Sequence, residues 1–192
     1  MERLLRNSRI PEKSQLEDLL PNKERQLDLE LISNLGELHF IDGHLNLIFW
    51  GAPGTGKTWL AEALATRVCH ARVKCRWISF PVLSRDLEHK QQEGNKALDS
   101  RLFYYAKFPL LCIDEFPNVK MKNGFFVQEL FDLRCTASRK NSTMICAQSS
   151  PENWPQLFPI SSFGESVRGR LEEHGKVIQM KESDLRCFKD PQ

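Results

Sequence analysis

The chain has 192 residues, 41% hydrophobic and 27% charged, which suits one α/β domain with a well-buried core and is short for two. No apolar run approaches the roughly 18 residues of a membrane span. Met1–Ile10 carries three arginines but lacks the apolar core and small-residue cleavage site of a signal peptide, so a cytoplasmic protein with no membrane partner is expected. A net charge of +2 permits nucleic-acid binding without arguing for it. Six cysteines without a C-x-x-C pair and five histidines without an i, i+4 pair support neither a zinc site nor a disulfide framework.

Met1–Arg9 reads as a basic arm, because Pro11 interrupts any helix that would continue it. Pro21-Asn22 opens a helix in which Leu27, Leu31 and Leu35 recur every fourth residue and Gly36 stands at the C-terminal cap position. Leu45–Trp50 is an apolar run of strand type. Gly51-Ala52-Pro53-Gly54-Thr55-Gly56-Lys57-Thr58 follows it and leads into a helix with Leu60, Leu64 and Val68 on one face. Strand, glycine-rich loop and helix in that order form a phosphate-binding loop. Inward-pointing amides and the positive end of the helix attract a polyphosphate. Lys57 is placed to reach the β- and γ-phosphates of ATP, and the Thr58 hydroxyl to hold Mg²⁺.

Val73–Phe80 reads as the next strand. Pro81 starts a helix carrying Leu83 and Leu87 that ends at Gly94, and a second helix with Leu98, Leu102 and Tyr105 closes before Pro109. Leu110-Leu111-Cys112-Ile113-Asp114-Glu115 is a buried parallel strand that delivers two acids to its carboxyl end. Asp114 suits Mg²⁺, directly or through water, and Glu115 suits the polarisation of an attacking water. Asn123–Arg139 is helical in pattern, with Arg134 and Arg139 toward its end, where cations suit the helix dipole. Ser142–Gln148 is a fourth strand whose last residue, Gln148, can touch the γ-phosphate or the attacking water, and Ser149-Ser150-Pro151 then turns the chain. Ser162-x-x-Glu165 has the form of a capping box for a helix running to Glu173, and Lys176–Met180 is the fifth strand. The alternation predicts one α/β unit with a five-stranded parallel sheet flanked by helices.

Together GAPGTGKT, LLCIDEF, STMICAQSSPENW, SVRGRLEEHGKVIQM and KESDLR resemble the AAA+ ATPases of the IstB and DnaC group, over residues from about Ile10 to Arg186. These are helper ATPases of insertion-sequence transposition and loaders of the replicative helicase. The first two motifs are generic to P-loop NTPases, whereas CAQSSPENW is particular to the group. The resemblance implies a Mg-dependent ATPase, with Gln148 at the sensor-1 position and Arg170 as a finger reaching the ATP of a neighbouring subunit. It implies that the paired helices between Pro81 and Lys107 line a DNA channel in an ATP-dependent homo-oligomer, where Lys90, Lys96 and Arg101 are candidates for contacts to duplex DNA. Gly169 stands where the group usually has Asp, which leaves Arg168 as a rival finger. The group's longer N-terminal region implies residues 1–36 as a shortened partner-binding region ahead of an ATPase core over residues 37–192. No substantial C-terminal lid is expected, and Arg186 is a weak candidate for a second sensor. The partner implied is a transposase, or in the alternative reading a replicative helicase; a non-hydrolysing ATP-binding scaffold is the third reading.

Overall fold

The computed structural model describes residues 2–12, 14–18, 29–116, 120–121, 124–135 and 141–181. Its sheet has five strands, β1 (Asn46–Trp50), β2 (Cys75–Ser79), β3 (Leu110–Phe116), β4 (Ser142–Ala147) and β5 (Gly175–Gln179), in the order β2-β3-β4-β1-β5. All neighbours are parallel. Parallel strands need crossovers that cover both faces, so β1, β3 and β4 read as apolar runs with successive side chains turned to opposite sides, whereas the edge strand β5 is largely exposed. Ile48, Ile78, Ile113 and Ile145 join one core cluster and Leu47, Phe49, Cys112, Met144 and Cys146 the other.

Four of the helices, α1 (Glu2–Ser8), α2 (Leu29–Gly36), α3 (His39–Asp42) and α4 (Lys57–His70), lie on the second face, where Leu60, Leu64, Val68, Leu35 and Phe40 are buried together. On the first face lie α5 (Phe80–Glu93), α6 (Asn95–Ala106), α7 (Gly124–Cys135) and α8 (Ser161–Glu173), through Leu83, Leu98, Leu130 and Val167 among others. None of the described helices is long and apolar enough to cross a membrane. Cys69, Cys75, Cys112 and Cys146 are buried free thiols that pack as small hydrophobes.

Several boundaries differ from the sequence expectation for identifiable reasons. The expected arm contains α1, whose Leu5 packs on the second core beside buried Ile10, because two apolar residues on one face suffice to dock a short amphipathic turn. Phe80 leaves the second strand to begin α5, with Pro81 in its first turn. A 3₁₀ helix over Pro151–Leu157 replaces a plain turn. The Ser162–Glu165 capping box does not form: α8 starts at Ser161 after Ile160 and has no side-chain cap. Pro21, Asn22, Leu27, Asn123, Arg139, Arg186 and Cys187 lie outside the described residues.

Arg134 does more than complement a helix dipole. It is 2% exposed, and its Nε donates to the Thr143 hydroxyl at 2.9 Å. Its Nη1 donates to the carbonyls of Tyr105 and Phe108, each at 3.1 Å, and its Nη2 to the Ser142 carbonyl. One guanidinium on α7 thus satisfies the otherwise orphaned carbonyls at the end of α6 and the edge of β4. Removing it leaves several buried acceptors without donors at about 1–3 kcal/mol each before relaxation. Arg134→Ala should lower unfolding free energy by about 3 kcal/mol or more, read as a shift of the urea midpoint at unchanged slope. Arg134→Lys should recover only part, since an ammonium cannot span the same acceptors.

Candidate nucleotide site

Loop 51–56 leaves the carboxyl end of β1, an interior strand beside the central β4. Gly51 is needed for close approach: a Cβ there would stand 2.2 Å from the Met180 carbonyl oxygen, because the chain beyond β5 runs directly across it. Gly56 has φ of 85° and precedes α4 without a side-chain cap, a conformation that disfavours any Cβ. The first amides of α4 are therefore left for an anion. Lys57 is 8% exposed and donates to the carbonyls of Gly51 (2.8 Å) and Ala52 (2.7 Å) and to the Thr55 hydroxyl (3.3 Å). The Thr55 hydroxyl in turn donates to the Ala52 carbonyl at 3.0 Å. Ala52 and Pro53 are exposed at the mouth of the loop, and Gly54 completes it with φ of 88°. The ammonium is held within its own loop by these acceptors.

The acidic pair sits on an irregularity of β3. Ile113 pairs with Ile145, but Phe116 pairs with Ala147, so one extra residue is inserted between them. Glu115 takes that position with φ of 54°, exposed, while Asp114 is half-buried. A strained non-glycine residue at the edge of a buried strand turns its carboxylate outward, a placement that regular pleating would not give. The Thr58 hydroxyl donates to Asp114 Oδ1 at 3.2 Å, and the Glu115 amide donates to the same oxygen at 2.8 Å. Behind the bulge, Phe116 packs on Trp154 with ring centroids 4.4 Å apart, and on Phe80 at 5.2 Å. Trp154, fully buried, is thus the support beneath the acidic pair.

Register brings the third component in. Ala147 pairs with Trp50 on one side and with Phe116 on the other, so Gln148, the next residue and exposed, lies between the loop and the acidic pair. Lys57, Thr58, Asp114, Glu115 and Gln148 thereby gather at one carboxyl edge. Arg170 is held differently: on α8, its Nε lies 3.0 Å from Asp132 Oδ1 of α7, and its Nη1 donates to Ser166. Arg168 pairs with Glu172 at 3.2 Å along the same helix. A side chain at Gly169 would meet nothing within 4 Å, so packing does not demand glycine between them.

The sequence reading missed one charged residue here. Glu62, 4% exposed, stands four residues after Thr58 on α4, the spacing that stacks side chains on one helix face. Burial pushes its carboxyl up to about 7, with the Glu12 and Asp114 carboxylates adding to the rise and hydrogen bonds from the Glu12 backbone and Ser14 opposing it. Asp114 is also raised, by burial first, while the Glu115 amide, the Thr58 hydroxyl and the Lys57 charge pull it back. A lone acid four residues past a phosphate loop gave no signal in sequence, because exposure and burial share the same helical spacing.

A family profile described as IstB-like ATP binding protein matches residues 1–190. A protein of Sinorhizobium fredii described as an insertion sequence ATP-binding protein is 24% identical over 187 residues, covering 97% of this chain and 74% of its own length. Another, of insertion sequence IS232 from Bacillus thuringiensis subsp. berliner, is 26% identical over 162 residues and covers 83% of this chain and 61% of its own. The chain thus spans part of the length of both relatives. Among solved structures, DnaI superposes with a TM-score of 0.70 at 17% identity, covering 96% of this chain and 93% of that one. The DnaC helicase loader gives 0.68 at 21% identity over 94% and 100%. AMPPCP-bound DnaA from Aquifex aeolicus gives 0.71 at 16% identity over 92% and 53%. At these identities the likeness is one of fold, an AAA+ P-loop core.

Glu62 yields a pH prediction. Its folded value near 7 exceeds the ordinary 4.5, so the folded chain holds the proton more tightly, and its contribution to stability is full below about 4.5 and lost as pH rises through 7. Glu62→Gln should leave stability near pH 4 almost unchanged and raise it by about 2–3 kcal/mol near pH 8. Urea midpoints of both chains at the two pH values check this; equal gains at both would show a packing effect instead of a titration.

Proposed function

The chain belongs to the IstB-like ATP binding protein family, and from that footing we propose that it is a Mg-dependent AAA+ ATPase of the cytoplasm that assists insertion-sequence transposition by assembling on duplex DNA under nucleotide control. The observation that carries the reading is the double register of Ala147, which brings phosphate loop, acidic pair and Gln148 to one edge. The donor set fits the cofactor. Thr58 Oγ1 and Asp114 Oδ1 are hard oxygen ligands 3.2 Å apart, and among the described residues no cluster of three metal-ligating His, Cys, Asp or Glu accompanies them. Two protein oxygens suit an ion that keeps its waters and is completed by substrate phosphates, as Mg²⁺ is. Bound ATP supplies a phosphoanhydride whose cleavage the site promotes. Lys57 and the α4 amides hold the phosphates, Glu115 polarises the attacking water, and Gln148 orients it.

Arg170 is the finger in this reading and exchanges Asp132 for the γ-phosphate of a neighbouring subunit when subunits meet; Arg168 remains its rival. Duplex contacts fall to the exposed Lys96 of α6 and to Lys90 and Arg101, which are paired with Glu93 at 2.7 Å and Asp86 at 3.5 Å. Residues 1–36 serve the partner transposase. This is a division of labour and not a break in packing, since Ile10, Ile32 and Leu35 belong to the second core. The insertion-sequence relatives favour a transposase over a replicative helicase as that partner.

Nucleotide titration and phosphate release test the site together. Lys57→Ala should bind ATP about a hundredfold more weakly or worse, whereas Glu115→Gln should bind it normally and hydrolyse it about a hundredfold more slowly. Turnover by Glu115→Gln within a few-fold of the parent would move the base elsewhere.

For the finger, Arg170→Ala should keep monomer affinity for ATP while losing about a hundredfold or more in turnover and the ATP-dependent oligomer on duplex DNA. Sedimentation with ATP, with and without duplex, reads this directly. Assembly equal to the parent would return the role to Arg168 or remove it.

A further inference from the structure

Away from the nucleotide site, a cavity of about 520 Å³ opens between α1, the start of β2 and the end of α6. Arg6, Arg9, Lys74, Arg76 and Lys107 line it, with Tyr104, and among the described residues no carboxylate does. Cys75 pairs with Leu110 at the amino ends of β2 and β3, whereas Asp114 stands at the opposite, carboxyl end. The cavity and the phosphate loop therefore occupy opposite edges of the sheet.

Helix polarity accounts for part of this charge. Arg6 and Lys107 sit at the ends of α1 and α6, where cations suit exposed carbonyls. It does not account for Arg76, which enters from β2, or for Lys74, which immediately precedes that strand. Arg76 is 7% exposed; among the described residues its Nε has no hydrogen-bond partner and its Nη1 reaches the Asn7 carbonyl at 3.5 Å. The carbonyls at and just beyond the end of α6 are engaged elsewhere: Tyr105, Ala106 and Phe108 accept from Arg134, and Ala106 also from Asn141. Asp86 is engaged by Arg101 and by the Tyr105 hydroxyl. The Tyr104 ring carries Arg76 at 5.9 Å, Arg101 at 5.5 Å and Lys107 at 5.0 Å, so its π-face is already occupied by cations.

A buried guanidinium with an idle donor, inside an array of like charges, is satisfied by a multivalent oxyanion. We propose that this cavity is a second phosphate site, which binds the phosphates of a free polyphosphate or of a nucleic-acid backbone without reading a base. The Tyr104 face is occupied by cations, and Phe108, the other lining ring, packs edge-on against Tyr104. Five cations across α1, β2 and α6 exceed what one phosphate neutralises and match adjacent phosphates. The proposal is independent of the ATPase reading, because it uses none of the same residues.

The full chain carrying Lys57→Ala, and the chain with Lys57 intact, are titrated with pyrophosphate by calorimetry and with labelled single-stranded and duplex oligonucleotides by fluorescence anisotropy. Each is repeated with Arg6→Gln and Lys107→Gln together, both exposed and safe for folding, and with Arg76→Gln after its melting midpoint is confirmed. At least one probe should bind the Lys57→Ala chain and weaken about tenfold or more in the double variant. With Lys57 intact, ATP affinity of the double variant should stay within about twofold. Oligonucleotide binding that pyrophosphate displaces identifies a nucleic-acid backbone as the source; pyrophosphate binding without oligonucleotide binding identifies a free polyphosphate. Absence of binding by every probe, affinities unchanged in the double variant, or loss of ATP binding by that variant would each overturn the second site.

Discussion

Strand β4 is hydrogen-bonded on both sides along nearly its whole length, and the site depends on that double pairing. Because β4 stands between β1 and β3, the phosphate loop and the acidic pair are not neighbours. They are spaced by one strand, close to 5 Å on either side, and the gap is filled by the residue after Ala147. A strand inserted this way anchors the roots of three chemically different side-chain sets at one edge. Arg134 and Asn46 hold the other end of the same strand, Asn46 Oδ1 accepting from the Thr143 amide at 2.9 Å. The central strand is thus fastened at its amino end by buried polar groups and leaves its carboxyl end for chemistry.

Around that edge the chain carries local arrangements that cost stability. The first amides of α4 have no side-chain cap, Lys57 is buried against carbonyls of its own loop, and Glu115 adopts a backbone conformation that costs roughly 1 kcal/mol or more for a non-glycine residue. Two carboxyls, Glu62 and Asp114, are raised by burial close to each other. Each feature is offset by packing elsewhere, most visibly by Trp154 and Phe80 against Phe116 directly behind the bulge. Phosphates and a divalent cation would relieve several of these costs at once, so binding and local order are thermodynamically linked.

Basic side chains are used in distinct ways across the molecule. Arg134 is a buried clamp, Arg67 ties the Gly36 carbonyl and Glu17 to α4, Arg170 is braced by Asp132, and Lys57 is folded into its loop. A net charge of only +2 conceals this, because many of these cations pair with acids while others gather at one edge. The amino edge of the sheet near β2 gathers cations and the carboxyl edge gathers acids. Net charge says little about partners when its distribution is polar on the scale of a single domain.

Much of the design was legible in the residues. Apolar runs bounded by glycine, proline and acids located the strands, and a phosphate loop of fixed spacing allows few other conformations. For that reason Gly51–Thr58, Asp114, Glu115 and Gln148 could be picked out as candidates, and the fold brings them to one edge. Strand order could not, since parallel pairing across long crossovers leaves no mark on local periodicity. Nor could the bulge at Glu115, which exists because β4 imposes its register on β3. The sequence placed Arg134 at a helix end and Trp154 in a motif; only packing made one a clamp and the other a support. The same holds for Glu62 and Arg76, whose burial depends on residues distant along the chain. Local patterns are written in neighbours three or four residues apart, whereas the environment of a charge is set by what the fold brings against it.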